Sequence, residues 1–117
     1  IILDPAPYSG ANTTCDALFM GVPVITAPGL RTASRSAASV LSAAGLGEFI
    51  ADGSEDYVRR AVTLARQPER LASLRRSLRT RLQSSPIMDE AGFTRDLEAA
   101  YRRMWQRWCS GLPAQGW

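Results

Sequence analysis

The apolar positions of this chain fall into two regimes. Near the start they form short runs, Ile1-Ile2-Leu3 and then Val22-Pro23-Val24-Ile25-Thr26, rich in β-branched residues and flanked by proline turns, as buried strands are. Asp4-Pro5-Ala6-Pro7 ends the first run, because two prolines forbid both a helix and continued sheet pairing. After the loop Tyr8-Ser9-Gly10-Ala11, the residues from Asn12 or Thr13 to Met20 favour a helix. It carries a hydroxyl or amide cap at its start and Gly21 as the residue that closes it. Ala27-Pro28-Gly29 turns the chain after the second strand, and a helix rich in Ala and Ser follows from Thr32 or Ser34 to Ala44, closed by Gly45 and Gly47. Glu48-Phe49-Ile50-Ala51 reads as a third short strand. The order βαβαβ, with crossovers long enough for parallel strands, predicts half of a Rossmann-like sheet.

Beyond Ala51 the apolar spacing changes to three and four. Asp52 to Gln67 predicts a helix, with Asp52 and Glu55 at capping-box spacing or Ser54 as its cap. Pro68 ends that helix and suits the first position of the next. There Leu71, Leu74, Leu78 and Leu82 line one face while arginines occupy the others. Ser84-Ser85-Pro86 breaks the chain, and a last helix from Asp89 to Cys109 carries Phe93, Leu97, Tyr101, Met104, Trp105 and Trp108. The fold class is therefore α/β: a partial, three-layer Rossmann-like domain over residues 1–110 with a helix-rich C-terminal part, and a flexible tail over residues 111–117.

Composition narrows this picture. With 117 residues, 45% of them hydrophobic, the chain can bury one small core and no more. It opens in the middle of an apolar strand without an initiator Met, which is the expectation for an internal fragment. No signal-peptide order and no membrane-spanning apolar run is present, so a soluble cytoplasmic protein is expected. Cys15 and Cys109 lack paired spacing and read as ordinary thiols rather than a disulfide or zinc site. There is no His, so the commonest general base and metal ligand is missing, and no metal site is expected. All 14 basic residues are arginine, whose planar fork suits phosphate, and the net charge is +3.

The stretch with chemistry in it is Gly10-Ala11-Asn12-Thr13-Thr14-Cys15-Asp16, after a strand and at a helix start. Gly10 allows backbone to approach an anion, the first N–H groups of the helix point at it, and Asn12, Thr13 and Thr14 offer further donors. Asp16, about one turn later, is placed to accept hydrogen bonds from a ribose diol. The same residues also suit ordinary helix-start chemistry, in which Asn or Thr caps and Asp favours the dipole.

What tips the balance is a longer match. Pro7-Tyr8-Ser9-Gly10-Ala11-Asn12-Thr13-Thr14-Cys15-Asp16-Ala17-Leu18-Phe19-Met20-Gly21-Val22-Pro23 resembles the donor-site signature of the O-GlcNAc transferase and SPINDLY-type protein O-glycosyltransferases. Thr32-Ala33-Ser34-Arg35-Ser36-Ala37-Ala38-Ser39 is similar to the family's next helix and Ala100-Tyr101-Arg102-Arg103-Met104-Trp105 to its terminal one, with the likeness strongest to the SPINDLY-type branch. The resemblance implies the C-terminal, donor-binding half of a two-domain GT-B glycosyltransferase, whose parent usually carries tetratricopeptide repeats upstream. It implies that Gly10, Ala11, Asn12, Thr13 and Thr14 bind the donor diphosphate and Asp16 the ribose. The implied reaction is an inverting, metal-independent transfer of a sugar from a nucleotide donor to Ser or Thr of intracellular proteins. The donor is left open between UDP-GlcNAc and GDP-fucose. O-GlcNAc transferases generally have a His before the Thr pair, and here Ala11-Asn12 stand ahead of Thr13-Thr14. No catalytic base is identified within the chain, and the isolated fragment is expected to be inactive.

Three other features carry weaker readings. Arg31 and Arg35 flank the second helix and are possible donor contacts. The arginines between Arg59 and Arg81 suit a solvated face better than a nucleic-acid surface, so neither nucleic acid nor membrane is an expected partner. The aromatic stripe of the last helix reads as core or interdomain packing, and its exposure would allow the fragment to form a homo-oligomer. The runner-up function is a non-catalytic nucleotide- or phosphate-binding regulatory module.

Overall fold

A computed structural model describes residues 1 to 115. Two parallel strands, β1 (Ile2–Leu3) and β2 (Val24–Ile25), pair with Ile2 opposite Val24 and Leu3 opposite Ile25. Asp4 N–H extends the ladder by donating to the Ile25 carbonyl at 2.9 Å, and Pro5 ends it. The third strand expected at Glu48–Ala51 is not formed. Gly47–Phe49 is a 3-10 turn, followed by a single parallel bridge between Thr26 and Ile50. The turn takes the donors a longer ladder would need, since Phe49 N–H donates to Leu46 and Ile50 N–H to Gly47. What is seen is a two-stranded parallel sheet with one further bridge, smaller than the half sheet predicted.

Helix α1 (Asn12–Phe19) carries the chain from β1 to β2. It closes as the sequence predicts. Gly21, at φ 74°, donates to Leu18 while Val22 donates to Ala17, so the last carbonyls are satisfied by the paired reverse bonds of a Schellman turn. The residues from Thr32 to Ala44 divide at Arg35 into a 3-10 turn, Thr32–Ser34, and α2 (Ser36–Ala43). Helix α3 (Gly53–Ala65) follows, and the residue reaching back at its start is Asp56, which accepts from Asp52 N–H at 2.9 Å. Neither Asp52 nor Ser54 caps by side chain, and Glu55 does not complete the expected box. Helix α4 (Pro68–Gln83) opens on Pro68 as expected.

The leucine face of α4 makes the core. Leu74, Leu78 and Leu82 are buried together with Leu18 of α1, Ile25 of β2, Leu41 of α2 and Leu64 of α3. Each such side chain contributes roughly 1.5–3 kcal/mol by leaving water. Gly21 permits a close approach of α1 to α4: a Cβ there would lie 2.5 Å from the Arg75 carbonyl oxygen. Arginines then tie the layers together at the rim. Arg79 Nε donates to the Phe19 carbonyl at 2.7 Å, Arg81 to Gly45 at 2.6 Å, and Arg60 of α3 to Glu48 at 2.6 Å. These charged donors meet carbonyls at the ends of α1, α2 and the 3-10 turn, where helix termini leave acceptors free.

Helix α5 (Glu90–Cys109) begins with Asp89 accepting from Gly92 N–H at 2.8 Å. None of its residues is buried. Phe93, Tyr101, Trp105 and Trp108 are all exposed, so the aromatic stripe does not pack into the core of this chain. Helix α5 touches the rest mainly through the 3-10 turn Pro86–Met88, so no face of it reaches the core that the α4 leucines fill. The segment after α5, expected as a tail from Gly111, starts on a closed turn. Leu112 N–H donates to Arg107 and Arg107 Nε to the Pro113 carbonyl at 2.6 Å. Gly116 and Trp117 lie outside the described residues. Among the described residues no helix is long and apolar enough to cross a membrane.

Candidate functional site

Everything at the start of α1 is organised from below by Asp4. Its side chain stands at the carboxyl end of β1, only 8% exposed, and accepts three hydrogen bonds. Ser9 Oγ and Thr26 Oγ1 donate to Oδ2 at 2.8 and 2.7 Å, and Gly10 N–H donates to Oδ1 at 2.8 Å. The carbonyl of Asp4 accepts from Tyr57 Oη at 2.9 Å, which brings α3 to the same point. Burial, and then the nearby Asp4 charge, push the Tyr57 hydroxyl above its usual pKa, so it stays a donor. Ser9 also holds α2: its Oγ accepts from Ala37 N–H at 2.9 Å, and its own N–H donates to the Ala33 carbonyl.

Two helix starts thus lie beside one loop, in different states. Helix α2 has no cap of its own, but Ser9 supplies one from the loop. Helix α1 follows Ala11, which has no side chain to cap with. The expected hydroxyl or amide cap is therefore absent, because Asn12 is already the first helical residue. Among the described residues no acceptor takes the N–H groups of Ala11, Asn12 or Thr13. All three residues are exposed, and their N–H groups carry the positive end of the helix dipole.

The structure divides the five expected diphosphate residues into two groups. Ala11, Asn12 and Thr13 face solvent with free N–H groups. Gly10 and Thr14 instead shape the loop. Gly10 spends its N–H on Asp4, and Thr14, only 2% exposed, donates its hydroxyl to the Gly10 carbonyl at 2.9 Å. Thr14, at the third position of the helix, braces the loop from beneath. Asp16 is exposed on the next turn, with its carboxylate free of any ion pair among the described residues. Cys15 between them is partly buried. That burial, and then Asp16, raise its thiol pKa, which leaves it a poor nucleophile.

Arg31 and Arg35 sit on the segment that the Ser9–Ala33 bond holds against the loop, but their side chains do not join the site. Arg35 Nη1 turns back to the Gly29 carbonyl at 3.3 Å, and Arg31 is exposed with no bond to the α1 start. Among the described residues no group of His, Cys, Asp and Glu is arranged to hold a metal ion. Asp4, Thr26 and Tyr57 were not singled out from sequence. The one available signal was a short carboxylate at the end of a strand, where ligand sites of parallel sheets gather.

Comparison with known proteins places this geometry. The sequence model of glycosyl transferase family 41 matches residues 1–97, and the chain belongs to that family. It is 48% identical over 111 residues to the probable UDP-N-acetylglucosamine--peptide N-acetylglucosaminyltransferase SPINDLY of Eustoma exaltatum subsp. russellianum. That match covers 95% of this chain and 12% of the relative. It is 37% identical over 116 residues to the similarly named SEC protein of Arabidopsis thaliana, covering 98% of this chain and 12% of that one. A mutant O-GlcNAc transferase of Thermobaculum terrenum superposes with a TM-score of 0.84 at 45% identity, over 93% of this chain and 21% of that structure. The chain thus spans about an eighth of the length of these curated relatives.

Proposed function

We propose that this chain is the donor-binding part of an inverting glycosyltransferase, which transfers GlcNAc or fucose from a nucleotide-sugar to Ser or Thr of protein acceptors. Its architecture would be the C-terminal, Rossmann-like half of a GT-B enzyme, completed by sequence outside these residues. The observation that carries the reading is the difference between the two helix starts. The fold caps α2 through Ser9 and leaves the N–H groups of Ala11, Asn12 and Thr13 open at α1. A diphosphate set there gains charge-assisted hydrogen bonds without a metal or a lysine. The exposed carboxylate of Asp16 lies one turn further on, where a ribose attached to that diphosphate has its hydroxyls.

The chemistry follows from charge. When an acceptor hydroxyl displaces the diphosphate at the anomeric carbon, negative charge grows on the leaving oxygen. Fixed N–H donors stabilise it there more than they stabilise the intact donor. The open N–H groups at the helix start only donate, so they do not take the proton of the acceptor hydroxyl.

Calorimetric titration of UDP, GDP, UDP-GlcNAc and GDP-fucose into the protein tests the reading. One nucleotide family should bind, and Thr13→Ala and Asp16→Ala should each weaken it by up to about tenfold. Binding that neither change affects, or no binding even by the full-length protein, overturns the assignment.

A further inference from the structure

We propose that Asp4 is the positioning residue of this loop: it presents the donor-binding N–H groups by holding the residue before them face down. The inference rests on the donor-site reading for its ligand, but its geometry stands apart from it. Three donors converge on the one carboxylate: Ser9 and Gly10 from the loop and Thr26 from the end of β2. An ionised carboxylate only accepts, so all three bonds suit the charged form and none requires a cation. Pinning Gly10 N–H to Oδ1 at 2.8 Å, and the Gly10 carbonyl to Thr14 Oγ1 at 2.9 Å, fixes both peptide planes around Gly10. With those planes fixed, the turn into α1 at Ala11 leaves the next N–H groups open to solvent.

The same carboxylate sets the neighbouring helix apart. By accepting the Ser9 proton, Asp4 orients Ser9 Oγ so that its lone pairs meet Ala37 N–H of α2. One buried group therefore closes the start of α2 and opens the start of α1. No part of Asp4 need touch the ligand, so its contribution is positional. Its effect should pass through Gly10, where an added Cβ would collide with the Thr13 hydroxyl.

The test compares wild type with Asp4→Ala, Asp4→Asn and the core variant Leu41→Ala, at a temperature where circular dichroism shows all four folded. Each is titrated with UDP and with GDP, and the amide resonances of Gly10, Asn12 and Thr13 are recorded. Asn can still accept from Gly10 through its amide oxygen, but it leaves the Ser9 and Thr26 hydroxyls without an acceptor. Asp4→Ala should therefore weaken nucleotide binding about tenfold and shift all three resonances. Asp4→Asn should lose melting temperature yet recover most of the affinity and the resonance positions. Leu41→Ala should lose melting temperature with neither change, which separates positioning from general destabilisation. Wild-type affinity and unmoved resonances in folded Asp4→Ala would overturn the proposal. If neither wild type nor the full-length protein binds a nucleotide, the donor reading fails. The resonances then decide the positioning claim alone: displacement in Asp4→Ala restored in Asp4→Asn upholds it, and no displacement refutes it.

Discussion

Arg79 grips Phe19 twice. Its Nε donates to the Phe19 carbonyl at 2.7 Å, and its guanidinium lies over the Phe19 ring, 4.5 Å from the centroid. One α4 side chain thus satisfies a terminal carbonyl of α1 and stacks on the residue that carries it. Arg79→Ala should cost about 1 kcal/mol of stability, the size of one exposed charged hydrogen bond with its cation–π contact. Arg79→Lys keeps the charge without the planar fork and should recover part of that loss. Urea unfolding followed by circular dichroism measures both.

A second pair of variants separates two costs of replacing glycine. Gly21 and Gly45 both follow a helix at positive φ, 74° and 66°. A Cβ on Gly21 would run into the Arg75 backbone, whereas one on Gly45 would meet nothing within 4 Å. Gly45→Ala should therefore cost about 1–2 kcal/mol, the left-handed backbone penalty alone. Gly21→Ala should cost about 1–3 kcal/mol more, because α1 and α4 must also move apart. Equal losses in the same unfolding measurement would contradict the close approach of the two helices.

Acid should act through Asp56. The Asp52 N–H, the Arg60 guanidinium at 2.6 Å and Arg59 together hold its carboxyl below the ordinary aspartate value. A carboxyl whose folded pKa is depressed adds stability above its unfolded pKa, and that stability is lost as pH falls through the folded value. The melting-temperature gap between wild type and Asp56→Asn should be constant near neutral pH and shrink below the ordinary aspartate range. A gap that does not change with pH would show that the three partners contribute no linkage.

The two cysteines should differ in reactivity. Burial and the neighbouring Asp16 raise the Cys15 thiol, while Cys109 is exposed on α5. Iodoacetamide near neutral pH should label Cys109 first, because the thiolate is the nucleophile. Asp16→Ala removes the second cause only and should speed Cys15 modestly. Mass spectrometry of the labelled protein follows each site, and faster labelling of Cys15 than Cys109 would reverse the expectation.

Much of this architecture was legible where one residue decides one outcome. Gly21 ended α1, Pro68 opened α4, and the leucines at 74, 78 and 82 marked the buried face of α4. Where several local solutions compete, sequence was less decisive. Glu48-Phe49-Ile50-Ala51 has strand-forming residues, yet Leu46 and Gly47 offered nearer acceptors and a 3-10 turn formed. Asp52 has two acidic residues within reach of its N–H, and Asp56 proved the partner rather than Glu55. The loop before α1 stands out in the sequence as a glycine and hydroxyl cluster at a helix start, but the partition within it does not. That partition depends on Asp4, Thr26 and Tyr57, which are distant in sequence and meet only once β1 and β2 pair. The α4 arginines suggest only a solvated face in sequence for the same reason, since the carbonyl partners of Arg79 and Arg81 lie on α1 and after α2.

The absence of buried residues on α5 also has a spectroscopic consequence. Trp105 and Trp108 both stand on that helix, 65% and 74% exposed, and among the described residues the core contains no tryptophan. Indole emission from these two should already be red-shifted in the native protein and change little when the leucine core melts. The emission of these two would report the environment of the terminal helix, including anything that comes to cover it, while remaining nearly blind to melting of the leucine core. The same optical property makes Trp105 and Trp108 built-in sensors of whatever meets α5, with no label added.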